Sequence, residues 1–264
     1  MVMAGLRFLK RSWNWRRNSC EPNKIGISHQ RQNLELKYME QQYLGSLLHL
    51  ADSTLPIGSY THSAGLETFV QQGFVNSRTT ADAFVRNMLQ HNLRYNDAAF
   101  MSLAYAAAAA QNINALLELQ ELCSAVKAPR ELREASHKLG ARLTRIFSRR
   151  YADPFMAQYE AAAGTGPHYC LVFGVYAYVL GIPLSAALYA FYYNAAAGMV
   201  TNCVKLVPLG QMDGQDIIFD LQPLLQELTT ATMQPDKALL GLCNAGFDIR
   251  SMQHERLYSR LYMS

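Results

Sequence analysis

Charge is scarce in this chain of 264 residues: only 17% are Asp, Glu, Lys or Arg, while half are hydrophobic. Such a chain buries a sizeable core, which excludes a disordered or highly solvated protein and points to a surface partly covered by other molecules. Cysteine is equally thin. Cys20, Cys123, Cys170, Cys203 and Cys243 are odd in number and far apart, with no C-x-x-C, so no disulfide framework is expected and a reducing, cytoplasmic setting is the simplest reading. No Gly-Lys pair occurs, so no phosphate-binding P-loop can form. His-Glu occurs at His254-Glu255 but continues Arg-Leu-Tyr, not as H-E-x-x-H. The seven histidines (His29, His49, His62, His91, His137, His168, His254) include no pair at helical i,i+3 or i,i+4 spacing, so no helical metal pair is expected. Sustained alternation and Asn-Gly turns, the marks of strands, are missing, and no internal repeat is present.

The longest absence runs over residues 161–204, which hold no Asp, Glu, Lys or Arg. A membrane hairpin is the first reading to test. Gly181-Ile182-Pro183 divides the run and leaves 12 residues, 169–180, in its first half. That is well short of the ~20 needed to span a bilayer as a helix. The second half is long enough but carries Ser185, Asn194, Thr201 and Asn202. Two helices buried in a bundle are expected, in its core or in an oligomer interface.

Positive charge is concentrated at the start. Residues 1–38 carry eight Lys or Arg against two Glu, a net of +6 that leaves −2 for the remainder. A nucleic-acid reading from the overall +4 therefore fails. Both tryptophans, Trp13 and Trp15, also lie here. The segment reads as a disordered extension from a misassigned start with Met39 as the true beginning, as a basic arm for a membrane surface or anionic partner, or as a targeting leader. The fold is sought in residues 39–264.

Helical signals fill that body. Leu44, Leu47, Leu48 and Ala51 recur at helical spacing before a break at residues 53–59. Leu66, Phe69 and Val70 mark a helix stopped by Gly73. Thr79 or Thr80 caps the next, which carries Phe84, Met88 and Leu89. Phe100 and Leu103 lead into alanines at 106–110, which allow close helix approach. Asn112 opens a helix bearing Leu116, Leu119 and Leu122. Pro129 suits the first turn of another, whose basic face is Arg130, Arg133, Lys138, Arg142, Arg145, Arg149 and Arg150, with Glu131 and Glu134 near its start. That face is either solvated or a docking surface for an acidic partner. Asp153-Pro154 starts a short helix ending near Gly164. The spacing predicts an all-α fold: one bundle of nine or ten helices with no significant sheet.

Catalytic patterns are weak. Thr61-His62-Ser63-Ala64-Gly65 approaches the G-x-S-x-G elbow of hydrolases, but a helix and a Pro-Ile-Gly loop precede it where that elbow needs a strand. Two polar segments remain. One is Leu55-Pro56-Ile57-Gly58-Ser59-Tyr60-Thr61-His62-Ser63-Ala64-Gly65-Leu66-Glu67, where Pro and Gly fix the backbone and Tyr60 and His62 offer stacking and hydrogen bonds. The other is the amphipathic terminus from Met252 to Ser264, rich in Arg, Tyr and Met, types enriched at interfaces. Each can equally be internal structure: a loop capping the next helix, and a tail packing on its own chain.

These segments resemble the UreF family of urease accessory proteins. The loop is similar to the family's N-terminal signature. Val207-Pro208-Leu209-Gly210-Gln211-Met212-Asp213-Gly214-Gln215 is similar to its V-P-L-G-Q-T-D-G-Q stretch, and His254-Glu255 with Ser259-Arg260-Leu261-Tyr262-Met263-Ser264 to its tail. Departures are small: Ser59-Tyr60, Met212 and Tyr262 differ from the usual residues. The resemblance covers residues 39–264. It implies an all-helical protein that is not an enzyme and binds no cofactor stably. It also implies an adaptor, as a homodimer, between the UreD/UreH scaffold and the GTPase UreG, with nickel handled by the assembled complex on its way to apo-urease. The partner-binding residues it implies are Tyr60, His62, Glu67, His254, Glu255, Arg256, Tyr258 and Arg260, with Tyr60 and Arg260 engaging UreG once a loose tail is ordered by the scaffold. No nucleic acid and no stable membrane association are expected. The competing reading is a membrane-peripheral helical adaptor using residues 1–38 and the uncharged hairpin.

Overall fold

A computed structural model describes residues 42–58, 65–164, 166–242 and 244–255, together with Leu257 and Leu261. The chain divides into two units, 1–42 and 43–264, and all but one of the described residues belong to the second. The expectations for residues 1–38 lie outside the described residues.

Eleven α-helices form among the described residues, and no strand. In chain order they are α1 (Leu44–Leu50), α2 (Leu66–Gln71), α3 (Arg78–Asn87), α4 (Asp97–Ala109), α5 (Ile113–Val126), α6 (Arg130–Ser148), α7 (Pro154–Ala162), α8 (Tyr169–Val179), α9 (Leu184–Leu206), α10 (Gln211–Thr232) and α11 (Ala245–His254). A π-helical turn, Met88–Leu93, extends α3. The all-α class is as expected, with one or two more helices than the sequence suggested.

Local chemistry sets the ends. The Asn112 side chain accepts the Ala115 N–H at 3.0 Å, and Asp153 accepts the Met156 N–H at 2.8 Å. Gly73, in the left-handed region at φ 77°, ends the turn after α2. The expected cap of α3 is corrected: Ser77, not Thr79 or Thr80, is the N-cap. Ser77 accepts the Thr80 N–H at 3.3 Å while the Thr80 hydroxyl accepts the Ser77 N–H at 3.0 Å. Three hydroxyls in four residues obscured which one starts the helix, and this reciprocal box decides it.

Helix α8 is the axis of the core. Cys170 to Ala177 are all buried, with α4 and α6 packed against the helix. A Cβ at Gly174 would run into the Met101 carbonyl oxygen, so glycine permits the close approach of α4 that buried Ala104 and Ala108 also allow. Helix α9 buries one face, including Phe191 and Tyr192, and pairs with α10. The first helix of the uncharged run thus lies inside the protein, and the second buries one face. Among the described residues no helix is long and apolar enough to cross a membrane, and the buried α8 withdraws the surface on which a membrane-bound hairpin would depend.

Candidate functional site: a clasp at the end of the bundle

Helix α11 packs on α2 and on the start of α6. Gly65, at φ 80° ahead of α2, lets the two backbones meet: an added Cβ would lie 2.8 Å from the Ser251 hydroxyl oxygen. Glu67 then falls in the first turn of α2 and Glu131 in the first turn of α6, where the helix dipoles favour acids. His254 is the last residue of α11, where a cation is favoured.

These three side chains meet. His254 Nε2 is 2.8 Å from Glu67 Oε2, and Nδ1 is 2.9 Å from Glu131 Oε2. Leu261 donates its backbone N–H to Glu67 Oε1 at 2.7 Å. One carboxylate therefore holds both the end of α11 and the chain seven residues beyond it. His254 and Glu67 are buried, whereas Glu131 is half-buried. At the margin, Gln72 donates to Gln253 at 3.1 Å, and the Arg250 guanidinium lies 4.7 Å from the Phe69 ring centre and 4.5 Å from that of Phe74. Glu255 follows the clasp and is exposed.

Of the residues singled out for partner binding, the structure brings Glu67 and His254 together and sets Glu255 beside them. Tyr60, His62, Arg256, Tyr258 and Arg260 lie outside the described residues. Within the single chain, His254 and Leu261 both bond to Glu67. The sequence places Glu131 near the start of α6, where the helix dipole favours an acid, and nothing local marks it as the third member.

The basic face of α6 is also partly structural. Arg133 donates to the Lys127 carbonyl at 2.8 Å, Arg142 donates to the Ile57 carbonyl at 2.8 Å, and Arg130 pairs with Glu134 at 2.7 Å.

A second polar cluster lies deeper. Lys127 Nζ stands 2.8 Å from Asp97 Oδ2. Burial alone would raise the Asp97 carboxyl, and the Lys127 ammonium more than reverses this, holding it below the usual range. His168 sits between the Ser124 hydroxyl at 2.9 Å and the Ser136 hydroxyl at 3.0 Å, with His137 stacked at 3.9 Å between ring centres. Burial first, then the neighbouring His137 and Lys127, push its pKa down to about 3, so the ring is neutral at ordinary pH. Asp97, Lys127 and Ser136 also line a cavity of about 530 Å³ beside α9. Cys170 lies 3.9 Å from Cys123, sulfur to sulfur, and burial raises its thiol well above the ordinary value, which keeps it unreactive. No group of three or more His, Cys, Asp or Glu converges as a metal site among the described residues.

The fold and clasp define an all-helical bundle closed by its own C-terminal segment. The UreF family model matches residues 75–222. The urease accessory protein UreF of Actinobacillus pleuropneumoniae serotype 5b is 49% identical over 224 residues, covering 84% of this chain and 99% of that protein. UreF of Haemophilus influenzae strain Rd is 48% identical, over 84% of this chain and 95% of its own. UreF of a Nostoc species is 34% identical over 83% and 94% respectively. The chain belongs to the UreF family of urease accessory proteins.

Proposed function

We propose that this protein is a urease-maturation adaptor. It bridges the UreD/UreH scaffold and the GTPase UreG as a homodimer in the cytoplasm, and helps couple GTP hydrolysis to nickel delivery into apo-urease. Nickel is cargo of the assembled complex, and the chain itself is neither an enzyme nor the resident of a stable cofactor. The observation that carries this reading is the similarity to UreF proteins over nearly their whole length. The clasp supports it: the two segments that most resemble the family meet at Glu67 and His254, which gives the tail a fixed place from which to address a partner. In this reading Glu67 and His254 hold the tail, while Tyr60, His62, Glu255, Arg256, Tyr258 and Arg260 make contact with partners, Tyr60 and Arg260 with UreG.

Co-purification with UreD/UreH and UreG, with the mass of the complex measured, tests the reading. A complex holding two copies of this chain and both partners is expected. Arg260→Ala is expected to lose UreG while keeping the scaffold. A protein that captures neither partner would contradict the adaptor role.

A further inference from the structure

A groove of about 630 Å³ runs between α2, α3 with its π-helical turn, and the start of α11. Phe69, Phe74, Phe84, Met88, Leu242 and Phe247 give it apolar walls. Phe74 is 54% exposed and Leu242 46%, so apolar surface is left open to water along this groove. Exposed apolar surface gathered in a concavity marks a contact site. A free small molecule needs fuller enclosure than this, whereas a side chain anchored on a larger body does not.

Arg250 supplies the charge of the groove. Its guanidinium lies over the Phe69 and Phe74 rings, which brace it. Nη1 donates to the Gly246 carbonyl at 3.0 Å, while Nε is enclosed with no hydrogen-bond partner. Among the described residues no carboxylate pairs with Arg250, and no Asp or Glu lines the groove. Asp248, two residues earlier, lines the separate cavity beside α9. A braced guanidinium is a planar fork already set for a carboxylate, and pairing it costs little further side-chain entropy. A basic group would be repelled here, and a neutral apolar group would leave the fork without an anion.

We propose that this groove docks a partner protein through an aromatic or branched aliphatic side chain flanked by Asp or Glu, the apolar group filling the groove and the acid pairing with Arg250. The surface goes beyond the adaptor reading above and does not depend on which partners that reading names.

Two matched peptides test it on the full-length protein: acetyl-Glu-Phe-Glu-amide and its neutral isostere acetyl-Gln-Phe-Gln-amide. Methyl NMR signals of Val75 and Met88 report binding in the groove. The acidic peptide is expected to shift them saturably at about millimolar concentration, as suits a fragment. It is expected to bind about fivefold more tightly than the neutral one at low salt, and the preference to shrink at about 1 M salt. Arg250→Gln is expected to bring the preference under about twofold. Leu242→Glu, at an exposed wall, is expected to reverse it and serves if Arg250→Gln folds poorly. No saturable shift, a wild-type preference under about twofold, or variants that keep the wild-type preference would overturn the proposal. The mass of the free protein is read for the same chains. A self-associated form lost in Leu242→Glu would assign the groove to a second copy and equally overturn it.

Discussion

Two histidines, His168 and His254, are fully enclosed by the protein, and each has hydrogen-bond partners on both ring nitrogens. Ser124 and Ser136 flank the first; Glu67 and Glu131 flank the second. A hydroxyl can donate or accept, so the His168 ring is satisfied while neutral and the surrounding burial keeps it so. His254 has instead a carboxylate oxygen beside each ring nitrogen, and a carboxylate only accepts. Equal burial thus comes with partners of different chemistry. The neutral ring joins α5, α6 and the start of α8, whereas the ring between carboxylates joins α2, the start of α6 and the end of α11.

Removing each ring breaks the comparison most sharply. His254→Ala leaves two carboxylates facing each other across vacated space and is expected to cost about 3 kcal/mol, a fall in Tm of roughly 6–12 °C, with loss of protection at Leu261. His168→Ala leaves the Ser124 and Ser136 hydroxyls to find new partners and is expected to cost about 2 kcal/mol with the tail unaffected. Thermal unfolding of the two variants compares them directly.

The pH dependence of the His168 site follows from its lowered pKa. Below the ordinary imidazole value of ~6.5 the unfolded chain takes up a proton. Folded His168 refuses that proton until about pH 3. Its contribution is therefore fully present above the ordinary value and is lost as pH falls towards the folded one. His168→Gln, which can still bond both hydroxyls, is expected to flatten the acid limb of a stability-against-pH curve without touching tail protection.

The smallest effect is expected at the junction that seats the clasp. Gly65→Ala places a Cβ on a backbone at φ 80° and against the Ser251 hydroxyl, at an expected cost of about 1 kcal/mol. Denaturant unfolding should show this loss together with weaker tail protection. Gly73→Ala, also at positive φ but with open space around its Cβ, is expected to spare the tail.

Much of the fold was legible because its signals are local. Asn112, Asp153-Pro154 and Gly181-Ile182-Pro183 each act on the backbone within a few residues, and the uncharged run at 161–204 announced its burial. The cap at Ser77 was misread because choosing among neighbouring hydroxyls needs the geometry of the turn. At the site, the loop and the tail were recognised as segments, and Glu67 and His254 were named. Their joining was not, since they lie 187 residues apart and Glu131 lies 123 residues from His254. The setting of His168 was hidden for the same reason: Ser124, Ser136 and His137 form one pocket only when α5, α6 and α8 pack.

The hold of Glu67 on the C-terminal segment is the central claim, and amide hydrogen exchange of the full-length protein reads it directly. The Leu261 amide is expected to be protected in the wild type and to lose that protection in Glu67→Ala, which removes the acceptor at 2.7 Å. Protection of Leu261 that is unchanged in Glu67→Ala would contradict it.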